Sequence, residues 1–334
     1  MNSIIINNLQ VLLDQAKQSS DTKDKFRVKA YSNAIKAIKN STTELQSGKD
    51  ALQLPGVGKK IADKIQEIIN TGKLHQVEEL GGDELATTSI ITTFTGIWGV
   101  GPVKAKELYS KGARTISDLG KPEFFDLLND NQKIGYKYYY DLQKRLPREA
   151  LIEPVSQIAS VFSLVCKEMK WKLKYKVCGS FRRQAKTCGD VDILLCPMKD
   201  SKGNLKGPKE GPKKMLSVIV EKLAQKGILK EKLGLGDTKY MGIINVQGTA
   251  FRIDIEIITQ TEWAFALLYF TGSGSFNEKQ RLVAKKMGYS LSEHGLKDVT
   301  TGEYINNTTH SEKFLTEKDI FDFLQMKFVK PENR

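Results

Sequence analysis

Four cysteines and three histidines are all that the 334 residues carry, and this scarcity excludes several classes of protein. Cys166, Cys178, Cys188 and Cys196 fall within one stretch but lack the paired spacing of a thiolate metal site, so no structural zinc is expected. A reducing compartment suits such a set. The chain also lacks any run of about eighteen apolar residues, the length a membrane-spanning helix requires. Met1 to Gln18 reads as an amphipathic helix, not as the charged-then-apolar layout of a signal peptide. The chain is therefore expected to be soluble and unsecreted, with no membrane span.

Basic charge is plentiful. The formal net charge is +13, and it is concentrated: residues 151–250 hold 19 Lys and Arg against 9 Asp and Glu, whereas residues 251–334 hold 11 against 12. A polyanion bound there gains through counterion release. Nucleic acid and an acidic membrane surface both answer to that description, and charge alone does not choose between them.

Hydrophobic periodicity divides the chain. Ile5, Leu9, Leu12, Leu13 and Ala16 recur at helical spacing, as do Phe26, Ala30, Ala34, Ala37 and Ile38. The small, polar stretch from Gly81 to Ser89 interrupts the pattern as a linker or helix-to-helix connection, and further helices are expected to about Leu146. Beyond it the signal changes. Lys174 to Cys178, Val191 to Leu195, Tyr240 to Val246 and Phe251 to Ile258 are short and rich in β-branched or aromatic residues, as strands are. Ser217 to Lys226 reads as a helix, and Asp200 to Lys214, dense in Gly, Pro and Lys, as an exposed loop. The predicted architecture is multidomain α+β: a helical N-terminal half, then a mixed half.

Aligned against itself, the chain shows one short repeat, Leu54-Pro-Gly-Val-Gly-Lys-Lys-Ile-Ala62 against Ile97-Trp-Gly-Val-Gly-Pro-Val-Lys-Ala105. Gly56, Gly58, Gly99 and Gly101 would permit tight turns, each followed by a helix whose first N–H groups are free to meet a phosphate. Ordinary glycine-containing helix turns are the competing reading. The pattern resembles the helix-hairpin-helix element, which implies sequence-independent contact with DNA backbone and a Na⁺ or K⁺ ion at the turn carbonyls.

The strongest chemical signal lies further on. Asp190 and Asp192 alternate with apolar residues, so both carboxylates leave one face of a strand. In Phe251-Arg-Ile-Asp-Ile-Glu-Ile257 the same alternation places Asp254 beside Arg252 and Glu256 on one face. Three carboxylates with no His or Cys suit a hard, oxygen-seeking ion, Mg²⁺ or Mn²⁺, and two such ions could clamp a phosphoryl displacement. Upstream, the Gly179-Ser180 turn offers N–H groups and a hydroxyl to a triphosphate, with Arg182 and Arg183 to balance its charge.

Gly-Ser, a spacer and Asp-x-Asp form the nucleotidyltransferase signature, and the surroundings resemble the family X DNA polymerases over almost the whole chain. The resemblance rests on Leu54-Pro-Gly-Val-Gly58, Leu146-Pro-Arg-Glu149, Gly179-Ser-Phe-Arg-Arg183, Asp190-Val-Asp192, Arg252-Ile-Asp254, Tyr269-Phe-Thr-Gly-Ser273 and Ser290-Leu-Ser-Glu-His294. It implies a helical lyase-like domain over 1–80, a helical DNA-binding subdomain over 81–147, a catalytic palm with a mixed sheet over 148–260 and a small α+β nucleotide-selecting subdomain over 261–334. The implied activity is templated, gap-filling synthesis from dNTP on gapped or nicked DNA, by a monomer.

Residue by residue, the resemblance implies that Asp190 and Asp192 bind both metals and that Asp254 binds the catalytic one and helps activate the primer 3′-hydroxyl. Ser180, Arg183, Ser273 and Arg148 would hold the triphosphate, with Gly179, Gly189 and Gly272 close against the nucleotide. Tyr269 and Phe270 would crowd out a 2′-hydroxyl, although as bare sequence they read as core. Asn277 and Arg281 would meet the base and template strand, and Arg252 the DNA.

In the N-terminal module Lys64 matches the lysine that forms a Schiff base with a 5′-deoxyribose phosphate, with Tyr31 in the same pocket and Lys60 one helical turn earlier on the same face. Lys60 and Lys64 as plain phosphate binders are the alternative. Gly274 and Arg27 depart from residues common in relatives. The tight connection around Gln247-Gly-Thr249 stands where template-independent members carry a long loop, which favours templated synthesis. No room is expected before Asn2 for the partner-binding domain of larger relatives. A template-independent nucleotidyltransferase and a non-catalytic DNA-end binder are the rival readings, and the latter has no need of three aspartates.

Overall fold

A computed structural model describes residues 1–19, 21–39, 41, 43–198, 207–208, 211–307 and 314–334. The chain forms two compact units, Met1–Tyr139 and Tyr140–Arg334.

The first unit is helical. Helix α1 (Asn2–Gln18) buries Ile5, Leu9, Leu12, Leu13 and Ala16, the stripe its periodicity predicts. Helix α2 (Thr22–Lys39) packs against it through Tyr31, Ala34, Ile35 and Ile38. Phe26, expected on that stripe, is 78% exposed. Five positions before Tyr31, it is rotated about 140° off the buried face at 3.6 residues per turn. Short α3 (Gly48–Leu52) and amphipathic α4 (Lys59–Thr71) complete this core, and α4 ends on left-handed Gly72. A second core gathers around α5 (Gly82–Thr95) and α6 (Pro102–Ser110). The expected linker from Gly81 to Ser89 is thus mostly the start of α5. Asp83 and Glu84 in its first turn suit the positive end of the helix dipole, and Thr88, Ile91 and Phe94 at three-residue spacing supply a buried face.

The second unit is built on a five-stranded mixed sheet. Helix α7 (Ile152–Met169) precedes β1 (Leu173–Val177), the short α8 (Gly179–Arg182) and β2 (Val191–Pro197). Then follow α9 (Pro212–Gln225) and strands β3 (Leu229–Leu235), β4 (Lys239–Val246) and β5 (Thr249–Ile257). The spatial order is β1-β2-β5-β4-β3, with β2 and β5 parallel and the other pairs antiparallel. Helices α7 and α9 cover one face, packing Ile158, Phe162, Leu216 and Ile219 against Ile193, Leu195, Ile253 and Ile255. With its preceding turn, α7 is, among the described residues, the one helix long and apolar enough to cross a bilayer, yet Ile158, Val161, Phe162 and Val165 are used to cover the sheet.

Strand β3 was not expected. Lys230, Glu231, Lys232 and Gly234 hide its apolar signal, which suits an edge strand with irregular register. Of the expected loop from Asp200 to Lys214, residues 200–206 and 209–210 lie outside the described residues. Pro212 to Lys214 instead open α9, proline being at home in a first helical turn. Strands β4 and β5 are joined by a two-residue turn, Gln247 at φ 51° and Gly248 at φ 86°. Positive dihedrals at both positions match the twist of a tight hairpin.

A smaller core closes the second unit. Helices α10 (Trp263–Thr271), α11 (Gly274–Lys286) and α12 (Glu317–Phe323) gather with the ribbon of β6 (Tyr289–Ser292) and β7 (Gly295–Asp298) around Phe265, Leu296, Phe314 and Phe321.

Candidate active site

Because β2 and β5 run parallel and in register, Asp192 stands directly beside Asp254. Residues alternate along β5, with Phe251, Ile253, Ile255 and Ile257 buried and Arg252, Asp254 and Glu256 half-buried on the opposite face. On that face of β2, Leu194 and Cys196 are covered by Trp263 and Ala266 of α10, which leaves Asp192 at the uncovered end. Asp190 lies one position before β2, not within the strand as its spacing suggested.

Crowded carboxylates in a poorly solvated place resist ionisation. Burial, reinforced by the charges of Asp190 and Asp254, pushes Asp192 up to about 7. Burial likewise raises Asp254, against the pull of Arg252 and Lys239. The Arg252 guanidinium sits between the acids, with Nη2 3.1 Å from Asp254 Oδ2 and 3.5 Å from Asp190 Oδ2, and Lys239 Nζ lies 3.8 Å from Asp254 Oδ2. Among the described residues no cluster of three or more acids, histidines or cysteines is arranged to hold a metal ion. Asp254 Oδ1 is nonetheless buried with no hydrogen-bond partner among the described residues. A buried carboxylate oxygen left over beside two more carboxylates, all hard donors, fits a divalent cation.

A cavity of about 380 Å³ opens beside this face. Gly179, Ser180 and Arg183 line it from α8 and its end, Gly189, Asp190 and Asp192 from the approach to β2, and Tyr269, Phe270, Gly272, Asn277 and Arg281 from α10 and α11. Gly179 has φ 56°, and a Cβ there would collide with Asp192 Oδ2, so glycine is required on both counts. Arg183 Nη1 donates to the Thr271 carbonyl at 2.5 Å, tying the cavity's two walls together. Tyr269 and Phe270 meet edge to face at 5.1 Å, Arg281 lies over the Tyr269 ring, and Asn277 Nδ2 donates to Tyr269 O at 2.7 Å. Both rings are half-buried against the cavity, so they are not plain core. Ser273 adjoins at the N-cap of α11, its hydroxyl 3.2 Å from that of Ser275.

Arg148 is a correction. Its Nε donates to the Phe181 carbonyl at 3.2 Å and its guanidinium lies over the Phe181 ring, outside this cavity. Besides Arg183 and Arg281 the cavity is lined by Arg145, which the sequence reading missed. The two-residue ribbon explains the exchange: Leu146 pairs with Cys188 and Pro147 with Thr187, so the antiparallel register continues to Arg145 opposite Gly189. Arg145 Nη2 donates to Thr187 O at 2.7 Å, and its Nη1 lies against Gly189. Only the register of a pair forty residues apart in sequence could have identified it.

In the first unit the two glycine repeats adopt the same turn. Gly56 and Gly99 have φ 84° and 83°, Gly58 and Gly101 cap the following helices in extended conformation, and Val57 and Val100 are buried beneath. The positive dihedrals thus fall on the first glycine of each pair only. Among the described residues, chain neighbours aside, nothing stands within 4 Å of where a Cβ of Gly58 or Gly101 would be, so that side of each turn is open to a ligand. Separately, Lys64 Nζ donates to Gln76 Oε1. Gln76 lines a cavity of about 350 Å³ with Tyr31, Arg27 and Asp24, the last two ion-paired at 2.8 Å. Burial raises the Tyr31 phenol. Lys60 is exposed and takes no part in that wall.

Comparison with known proteins gives a concordant picture. Four family models match: a helix-hairpin-helix domain over residues 2–74, the fingers domain of DNA polymerase lambda over 92–143, the DNA polymerase beta palm over 145–260 and the DNA polymerase beta thumb over 266–334. DNA polymerase lambda of Rattus norvegicus is 32% identical over 341 residues, covering 99% of this chain and 56% of that protein. DNA polymerase lambda of Arabidopsis thaliana is 34% identical over 320 residues, covering 91% and 57%. The DNA polymerase type-X family protein pol4 of Schizosaccharomyces pombe is 26% identical over 345 residues, covering 100% and 64%. The chain spans little more than half the length of the first two relatives.

Proposed function

This chain belongs to the family X DNA polymerases, and from that premise we propose that it is a repair-type, DNA-directed DNA polymerase that fills short gaps from dNTP. The observation that carries this reading is the in-register pair of Asp192 and Asp254, of which Asp192 lines a cavity walled by Ser180, Arg183, Tyr269 and Asn277.

Asp190, Asp192 and Asp254 would hold two divalent ions, Mg²⁺ or Mn²⁺. When bound, such ions polarise the phosphoryl oxygens and favour an ionised 3′-hydroxyl. The protein's own share is binding and orientation. The N–H groups and hydroxyl of the Gly179-Ser180 turn, with Arg183, Arg145 and Ser273, bind the triphosphate, and Gly189 and Gly272 allow its close approach. Tyr269 and Phe270 face the sugar and exclude a 2′-hydroxyl, while Asn277 and Arg281 orient base and template. Arg252, 3.1 Å from Asp254 Oδ2, leaves Oδ1 to a metal, and a primer phosphate is a suitable further partner for that guanidinium.

The open turns at Gly56 to Gly58 and Gly99 to Gly101 suit DNA phosphates, with Na⁺ or K⁺ at their carbonyls. Lys64, beside the cavity of Tyr31 and Gln76, is the candidate nucleophile for removing a 5′-deoxyribose phosphate. The two-residue turn between β4 and β5 supports templated over template-independent synthesis. The protein acts as a monomer on gapped or nicked DNA. The organisation into lyase-like 1–80, DNA-binding 81–147, palm 148–260 and nucleotide-selecting 261–334 segments belongs to the same reading.

Purified protein with Mg²⁺ or Mn²⁺ is expected to fill a one-nucleotide gap bearing a 5′-phosphate. Asp254→Ala should abolish filling while leaving DNA binding intact. Equal activity in that variant would rule out the mechanism, and equal extension without template would favour the template-independent alternative.

A further inference from the structure

The turn at α8 has two sides. Ser180 and Arg183 face the cavity described above, whereas Phe181, Arg182 and Gln184 face a second cavity of about 390 Å³, shared with Arg148, Tyr175 and Lys176. None of these six residues carries part of the proposed polymerase or lyase chemistry.

The second cavity is cationic. Among the described residues no carboxylate lies within ion-pair distance of Arg148 or Lys176. Arg182 binds Glu317 through two contacts, at 2.9 and 2.6 Å, but Glu317 also accepts from Arg334 at 2.6 Å. Burial works against the charge of Glu317, yet these guanidinium bonds hold it below the usual carboxylate range. Arg182 is thus neutralised by Glu317, while Arg148 and Lys176 stand in the cavity without a counter-charge among the described residues. Arg148 is held rigidly by its bond to Phe181 O and by its stack on the ring, which leaves its two terminal nitrogens to point elsewhere. Tyr175, 40% exposed, adds a ring at the rim.

Gln184 lines the same cavity. It has φ 58°, a left-handed conformation that glycine adopts freely and a glutamine does not. That conformation closes the helix, with Gln184 N–H donating to Phe181 O and Ala185 N–H to Ser180 O, both at 3.1 Å, and it leaves the Gln184 side chain on the wall of the cavity. Its amide adds a donor to two guanidinium groups and an ammonium.

We propose that this cavity is a second phosphoryl-binding site, back to back with the triphosphate cavity across α8, in which Arg148, Lys176 and Gln184 bind a phosphate group. Planar Arg donors and a flexible Lys suit phosphate geometry and charge. Its source is either a free nucleotide or polyphosphate, or the backbone of a DNA strand.

The test is calorimetric titration of the full-length protein with inorganic pyrophosphate in the absence of divalent metal. Wild type should bind two equivalents. Arg183→Ala should keep one, and Arg148→Ala/Lys176→Ala should keep the other. A single equivalent that Arg183→Ala eliminates and the double variant leaves untouched overturns the proposal. In the Arg183→Ala background, Gln184→Gly should weaken the remaining binding severalfold while melting at the same or a higher temperature. Unchanged binding would refute the part given to Gln184, and the melting curve separates this from misfolding. Competition then assigns the source: displacement of pyrophosphate by a short oligothymidylate indicates a strand, and displacement only by dNTP a free nucleotide. No pyrophosphate binding by Arg183→Ala, with neither competitor bound, also overturns the site.

Discussion

Asp192 and Asp254 stand on adjacent strands of a sheet whose other face is closed by two helices, whereas Lys64 stands on a half-buried helix face and donates to one exposed glutamine. The first centre is fixed by strand register, so its geometry cannot drift without moving the core beneath it. That rigidity has a cost, because like charges are confined where water cannot screen them. The second centre is held by a side-chain hydrogen bond between flexible residues. It carries little electrostatic cost and little pre-organisation. Within one chain, the centre built for charge is locked and the centre built on an amine is loosely held.

The sharpest way to break this comparison is at the carboxylates. Asp192→Asn or Asp254→Asn is expected to lower gap filling by about a hundredfold to a thousandfold or more, the scale of losing one pre-organised electrostatic contact. Single-turnover assays with saturating dNTP would measure it, and a loss of only a few fold would mean that register does not set the chemistry. At the other centre, Lys64→Ala should eliminate the borohydride-trapped adduct with a 5′-deoxyribose phosphate end while changing gap filling by less than about twofold, since sites with no shared partners act independently. A parallel loss of both activities would show the centres to be coupled.

Smaller effects sharpen the triphosphate cavity. Arg145→Ala is expected to raise KM for dNTP about tenfold, as loss of one charge-assisted contact does. Arg148→Ala should leave that KM unchanged, and the reverse ranking would restore the assignment that sequence suggested. The smallest expected effect is on stability. Asp192 has a folded-state pKa raised to about 7, above its unfolded value near about 4, so the fold favours its neutral form. Stability from this group is full below about pH 4 and is lost as pH rises through about 7. Metal-free Asp192→Asn should therefore melt a few degrees above wild type at pH 8, with the gap closing towards pH 4. A gap that widened on acidification would contradict the sign.

Sequence by itself determined which chemistry this protein carries. Alternation in Phe251 to Ile257 fixed which residues share a face, because side chains along a strand alternate whatever the fold. The Gly-Val-Gly repeat announced two matching turns, because few other residues accept φ near 84°. Sequence could not determine that Arg145 and not Arg148 lines the cavity, that Arg252 lies between the acids, that Phe26 is exposed, or that Lys230 to Gly234 belong to an edge strand. Those outcomes depend on pairing between distant segments: Arg145 is in the cavity because of the register between Leu146–Pro147 and Thr187–Cys188. Local periodicity fixes a side chain's direction relative to its own backbone. Only the tertiary structure decides what lies in that direction, and so a list of acids and arginines becomes a site only once the strands have paired.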